Sequence, residues 1–157
     1  MITKKFWVKK LLVSLLAVSV FVVACDNDDD TPQEKITFNV TGTLSGSQEV
    51  PAVTTSATGS VTGTYNKNTN TLVYSVTWTG LSGAATGSHI HGPAAIGVNA
   101  GIMVGLTITT TGATGAAAGT VILTDVQETE LLAGRTFVNV HTALNPGGEL
   151  RAQLTAQ

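Results

Sequence analysis

From residue 36 onward, apolar and small polar residues alternate with a period of two, and no other feature constrains the fold as strongly. Ile36, Phe38 and Val40 alternate with Thr37, Asn39 and Thr41. Val61, Gly63 and Tyr65 alternate with Ser60, Thr62 and Thr64, and Leu72, Tyr74, Val76 and Trp78 with Val73, Ser75, Thr77 and Thr79. Successive side chains of a strand point to opposite faces, so each run offers one face to a core and the other to water. Trp78 and Tyr74 fall on the face of Leu72 and Val76 and are expected in the core rather than on a binding platform. The polar run Asn66-Lys67-Asn68-Thr69-Asn70 joins two such segments as a hairpin. Further strands are expected at 87–92, 102–108, 119–123, 135–142 and 149–154. The stretch 109–118 contains only Gly, Ala and Thr and reads as a mobile loop.

Composition supports the same conclusion. The chain holds 26 threonines, nearly all after residue 30, and 17 glycines. Threonine is β-branched and suits strands, and glycine suits the turns between them. Only one stretch reads as helical: Thr124-Asp125-Val126-Gln127 has capping-box spacing, Asp125 and Glu128 favour a helix start, and Gly134 can end it. Val126, Leu131 and Leu132 would then cover one end of the sheets. The expected fold class is all-β: an antiparallel Greek-key β-sandwich or barrel of about eight strands with one short helix.

The first 24 residues belong to a different problem. Lys4, Lys5, Lys9 and Lys10 precede an apolar run from Leu11 to Ala24, which is short for a spanning helix. The run ends in Val22-Val23-Ala24-Cys25, which resembles the bacterial lipobox. That resemblance implies a signal peptide over 1–24, cleavage before Cys25, and lipidation of its thiol and new amino terminus. Asp26, Asp28, Asp29 and Asp30 follow in a segment, 25–35, that reads as a solvated acidic tether. It resembles the surface-export signal of bacterial lipoproteins, and a plain spacer holding the domain off the bilayer is the alternative. The expected location is the cell envelope, lipid-anchored at the outer membrane and surface-exposed if the export signal is real, with residues 36–157 as the folded domain. The net charge of −2 gives no footing for nucleic acid. A single cysteine excludes an internal disulfide framework and a multi-cysteine zinc cluster.

The three histidines lie in two short segments, Ser88-His89-Ile90-His91-Gly92-Pro93 and Val138-Asn139-Val140-His141-Thr142. On a strand, His89 and His91 share a face with Ile90 opposite; on the second strand Phe137, Asn139 and His141 face away from Val138 and Val140. If Ile90 and the two valines are core, all three imidazoles stand on the outer face. They would then form a site able to take copper or zinc, with Asn139, Glu149 and Arg151 as neighbours. The alternative is two separate polar patches bonded to Thr, Asn or backbone groups. Glu149 and Arg151 at i, i+2 read as a surface ion pair, and Glu49 as a turn or edge residue with a local hydrogen bond. No catalytic residue is assigned: there is no phosphate loop, no GxSxG, and Cys25 is consumed by the lipid.

These segments carry two resemblances. Leu44-Ser45-Gly46-Ser47-Gln48-Glu49-Val50-Pro51-Ala52-Val53, Ala57-Thr58-Gly59, His89-Ile90-His91-Gly92-Pro93-Ala94, Phe137-Val138-Asn139-Val140-His141-Thr142 and Asn145-Pro146-Gly147-Gly148-Glu149-Leu150-Arg151-Ala152-Gln153-Leu154 recur in the order of the CHRD domain. That module is named after the animal protein chordin and is also found in bacterial secreted proteins. The resemblance spans about residues 36 to 154. It implies an all-β extracellular module, with a binding or structural role toward an unidentified envelope or extracellular ligand. The second resemblance is to the copper-zinc superoxide dismutase sandwich. His89-Ile90-His91 looks like the strand supplying two copper ligands there, and the strand 134–141 looks like the one supplying a third. The turn Asn145-Pro146-Gly147-Gly148 looks like the one before that enzyme's active-site arginine. The departures are a missing bridging histidine, missing zinc ligands and disulfide partner, and Glu149 where the arginine would fall. This resemblance implies the sandwich architecture and an open copper site rather than dismutation.

Overall fold

The computed structural model describes residues 34–157. The expected leader 1–24, the expected lipidation site Cys25 and the expected tether up to residue 33 lie outside the described residues. In chain order the elements are β1 (Thr37–Ser45), a single 3₁₀ turn (Gly46–Gln48), β2 (Thr58–Asn66), β3 (Thr71–Thr79), β4 (Ala85–His91), β5 (Ile102–Gly105) and β6 (Ile108–Thr110). They continue as β7 (Gly115–Ile122), α1 (Asp125–Leu132), β8 (Phe137–Thr142), β9 (Leu150–Gln153) and β10 (Thr155–Ala156).

All the strand pairs are antiparallel. Nine strands run in the order β5-β4-β8-β9-β1-β2-β3-β7-β6, and β10 pairs with β1. The sheet is curled like a half-barrel, the all-β antiparallel class expected from the period-two pattern. β5 and β6 lie at its two ends, yet only Leu106 and Thr107 separate them in the chain. The segment therefore stitches both edges. Leu106 N–H donates to Ser88 O (2.9 Å) on the β4 side, and Ala118 N–H donates to Thr107 O (3.0 Å) on the β7 side. The Tyr74 hydroxyl accepts the Thr107 N–H at 3.0 Å. An edge covered in this way offers no open row of backbone groups to another chain.

The concave side is the core. Val40 and Leu44 of β1, Val61 and Tyr65 of β2, and Leu72, Tyr74, Val76 and Trp78 of β3 are buried, whereas Phe38 and Gly63 of the expected inward set are only partly buried and Ile36, which precedes β1, is exposed. Ile90, Val138, Val140, Leu150, Ala152 and Leu154 complete it from the other half of the sheet. Each fully buried side chain of this size contributes about 1.5–3 kcal/mol of transfer free energy.

The stretch 109–118 is not a loop: it supplies most of β6 and the first half of β7, and with β10 at the C-terminal end the described residues form ten strands rather than eight. Its small residues answer to packing rather than to flexibility. A Cβ on Gly115 would lie 2.2 Å from Thr110 O and 2.9 Å from the Trp78 ring, and one on Gly119 would lie 2.7 Å from the Tyr74 hydroxyl. The aromatic rings of β3 leave room only for a bare backbone there.

α1 begins with the expected capping box: the Thr124 hydroxyl accepts from Gln127 N–H, and the Gln127 side chain accepts from Thr124 N–H. It ends at Gly134 (φ 67°), with Gly134 N–H on Leu131 O and Arg135 N–H on Glu130 O, the paired bonds of a Schellman ending. Leu131 is buried and Leu132 partly so, whereas Val126 is exposed and covers nothing.

Candidate metal centre

Sheet register assembles the site. Antiparallel pairing places His89 opposite Asn139, His91 opposite Phe137 and Gly87 opposite His141 on β4 and β8. On β9, Arg151 lies opposite Asn139 and Gln153 opposite Phe137. Because Ile90, Val138 and Val140 are core, this whole row set faces away from it, as parity requires. The face is not open to water, however. The loop 92–101 and the turn 143–149 roof it, so Phe137, Asn139, His91 and Arg151 are all buried, and His89 and His141 are half-buried.

The three imidazoles converge. One ring nitrogen from each lies within 4.8 Å of the other two. His89 Nδ1 and His141 Nε2 are 3.0 Å apart. Ring centroids are separated by 4.9 Å (His89–His141), 5.7 Å (His89–His91) and 6.2 Å (His91–His141). Gly87 is part of the arrangement: a Cβ there would stand 3.2 Å from the His89 ring and 3.7 Å from His141. Nothing in the local pattern announces that role, because an isolated glycine in a strand reads as a bulge. β4 and β8 do shift register between Ala85 and Gly87.

Two backbone carbonyls fix which nitrogens are bare. His91 Nδ1 is 3.0 Å from Ala100 O, and His141 Nδ1 is 3.0 Å from Pro146 O. A carbonyl oxygen only accepts, so both Nδ1 atoms carry the proton and both Nε2 atoms present a lone pair. With no hydrogen on His141 Nε2, the His89 Nδ1–H donates to it. His91 Nε2 is buried without a hydrogen-bond partner. Burial, with the neighbouring histidine charges, pushes the His89 imidazole below its ordinary range. Burial also lowers His141, over the opposing effect of its bond to Pro146 O. Both shifts favour the neutral, ligating form of His89 and His141.

Metal–nitrogen bonds near 2.0–2.1 Å place three ligand nitrogens roughly 3–3.5 Å apart. His89 Nδ1 and His141 Nε2 stand at that spacing, 3.0 Å, but the His89 Nδ1–H fills the gap; for both to ligate, that proton moves to His89 Nε2 and leaves Nδ1 bare. Three imidazoles with no thiolate or carboxylate suit copper or zinc.

The expected neighbours divide. Asn139 lies in the same row as His89; its Nδ2 reaches Gly147 O at 3.3 Å, and its buried Oδ1 has no partner. Arg151 stacks over Phe137, its guanidinium carbon 3.5 Å from the ring centroid. Glu149 does not join the cluster. It turns toward the end of the barrel, where its carboxylate accepts from the Ser82 N–H (2.9 Å), the Thr55 hydroxyl (3.0 Å), the Thr142 hydroxyl (2.8 Å), Asn145 Nδ2 (3.1 Å) and the Ser82 hydroxyl. Burial alone would raise its pKa, but these donors hold it below the usual carboxylate value.

The expected surface ion pair between Glu149 and Arg151 is thus absent: both residues are buried, and each is bonded elsewhere. Period-two reasoning placed them on one exposed face, but Glu149 precedes β9 and its side chain follows the turn inward. Glu49 does sit at a turn, closing the 3₁₀ turn, but it is buried. Its Oε1 has no partner, and burial pushes its pKa up to about 7 against the pull of Arg151 and the Val50 backbone.

Neither the curated proteins nor the solved structures offer a match to this chain. The model of the CHRD domain matches residues 40–154, a span that takes in most of β1, every element from β2 to β9 and every residue of the histidine cluster. With nearly three-quarters of its length inside that match, the chain belongs to the CHRD domain family.

Proposed function

We propose that this protein is a lipid-anchored binding module of the cell envelope whose three-histidine cluster holds a copper or zinc ion. The observation that carries the reading is the convergence of the three imidazoles, one ring nitrogen of each within 4.8 Å of the others, together with a His91 Nε2 that is buried without a partner. Membership of the CHRD family supports a binding or structural role, and the lipobox at Cys25 supports the anchor. Neutral imidazoles bind Cu(II) more tightly than the other divalent first-row ions, so copper is the favoured occupant. Bound copper would supply one-electron redox capacity; the chain's own contribution is to hold it.

Arg151 supports holding rather than turnover of an anionic substrate. Its guanidinium is buried on Phe137 and cannot guide an anion to the cluster from solvent. Equilibrium dialysis against Cu(II) and Zn(II), followed by metal analysis, tests the reading. One ion per chain, lost in His91→Ala and His141→Ala, is expected. Binding no greater than that of a His89→Ala/His91→Ala/His141→Ala protein would overturn it.

A further inference from the structure

We propose that Arg151 is a positioning residue for this cluster, setting the tautomer of His91 from a distance through two separate contacts. The inference rests on reading the cluster as a metal site, but its first test requires no metal.

The side chain of Arg151 is among the most buried in the molecule, at 1% exposure. On one side its guanidinium lies 3.5 Å from the centroid of Phe137, and Phe137 stacks on His91 with centroids 5.0 Å apart and planes 7° from parallel. On the other side it grips the roof loop: one Nη donates to Val98 O (2.9 Å) and to Gln153 Oε1 (3.3 Å), the other to Asn99 Oδ1 (3.4 Å). The next residue, Ala100, supplies the carbonyl that receives the His91 Nδ1–H at 3.0 Å. Asn99 is itself tied to Val50 O (2.8 Å), and Gly92 N–H closes the loop onto Gly101 O (3.2 Å). One cation therefore fixes both the plane of the His91 ring and the acceptor that decides which of its nitrogens is bare.

A guanidinium is suited to this arrangement. It is planar, so its face can stack on Phe137 while its edge donates to the loop, and an ammonium cannot do both. Burying a cation is unfavourable, and an aliphatic side chain would fill the same space beside Phe137 without that penalty. Glu49 is the charged group that faces it and offsets part of the cost. What the charge adds is orientation. If the loop drifts and Ala100 O is lost, His91 is free to carry its proton on Nε2. Its lone pair then sits on Nδ1, the nitrogen that faces the Ala100 carbonyl of the loop.

The test uses nitrogen-15 NMR of the imidazoles in the metal-free protein, then Cu(II) titration. The wild type should show His91 as the Nδ1–H tautomer. Arg151→Met and Arg151→Lys should both show a mixture of tautomers at His91, with His141 unchanged because its acceptor is Pro146 O. Copper affinity should fall about 10- to 100-fold in both, the range typical of groups that orient a ligand. A folded Arg151→Met protein with an unchanged His91 tautomer and unchanged copper affinity overturns the proposal. Should Arg151→Met not fold, Asn99→Ala, at an exposed loop position, should give the same tautomer shift in smaller amplitude, and no shift there overturns it equally. A wild type that takes no metal would overturn the metal reading alone, since the tautomer result still decides the role of Arg151.

Discussion

Glu149 and Arg151 stand two residues apart in the chain, both nearly inaccessible to water, and turn to different partners. Glu149 is enclosed by Ser82, Thr55, Thr142 and Asn145 at the barrel end, and Arg151 by Phe137 and the loop 98–99 on the far side of the sheet. Each is a charge whose removal leaves buried hydrogen-bonding groups behind.

Glu149→Gln should therefore destabilise the domain by about 2–4 kcal/mol. It replaces an acceptor oxygen with an amide donor facing hydroxyl donors, and each unpaired buried group costs about 1–3 kcal/mol. Guanidinium unfolding measures this; a loss below about 0.5 kcal/mol, the range of surface substitutions, would contradict the buried network.

Glu49 sets a pH dependence of the opposite sign to an ordinary carboxylate. Its pKa is about 7 in the folded protein against 4.5 as the ordinary value, so between these limits the folded state binds more protons than the unfolded. Its stabilising contribution is complete below 4.5 and is lost as pH rises through 7, with a slope of at most about 1.4 kcal/mol per pH unit. The stability of the wild type relative to Glu49→Gln, followed by urea unfolding from pH 4.5 to 8, should fall as pH rises. A flat difference would show that the carboxyl titrates normally.

Thr136→Val should stabilise the domain by about 1 kcal/mol. The Thr136 hydroxyl is buried without a partner, and the residue lines a small cavity with Leu72, Ile90, Val104 and Leu131. Valine has the same shape, and a methyl there removes an unsatisfied polar group. A lower melting temperature in the variant would mean that the hydroxyl has a partner in solution.

Gly115→Ala should cost about 1–3 kcal/mol, the usual penalty for overpacking. The new Cβ would lie 2.2 Å from Thr110 O, a backbone atom that cannot swing aside. Hydrogen exchange should show β6 released first, because Gly115 pairs with Trp78 of β3 and the next residue, Ala116, pairs with Thr110 of β6. Unchanged stability would mean that 109–118 is as loose as its composition suggests.

Cys25→Ser should abolish fatty-acid incorporation and release the protein from the membrane fraction. Each buried CH₂ of an acyl chain contributes roughly 0.8 kcal/mol, and more than one chain is needed for a stable anchor. Labelling cells with a clickable fatty acid checks this, and label retained in the variant would rule out lipidation at that thiol.

Much of the architecture was legible because one physical rule is local. Alternation in β1, β2 and β3 named the core residues correctly, from Val40 through Trp78, since a strand's two faces are set by position alone. The same parity placed Ile90, Val138 and Val140 inward and the three histidines on the other face. The capping box of α1 was readable for a similar reason: Thr124 and Gln127 meet within one turn. Composition misled at 109–118, because small residues are equally what a flexible loop uses and what a strand packed under Trp78 and Tyr74 requires.

The chain by itself determined which side chains share a face, since that depends only on spacing along a strand. Tertiary structure alone decided how far apart the faces' occupants stand and what covers them. His89 and His141 lie 52 positions apart in sequence and meet at 3.0 Å only because β4 pairs with β8 in one register. The loop 92–101 and the turn before β9 then close over that face, bury Arg151 and His91, and supply the carbonyls of Ala100 and Pro146. Backbone carbonyls carry no residue identity, so no pattern of side chains could have announced them; only folding brings them to the ring nitrogens whose protons they hold.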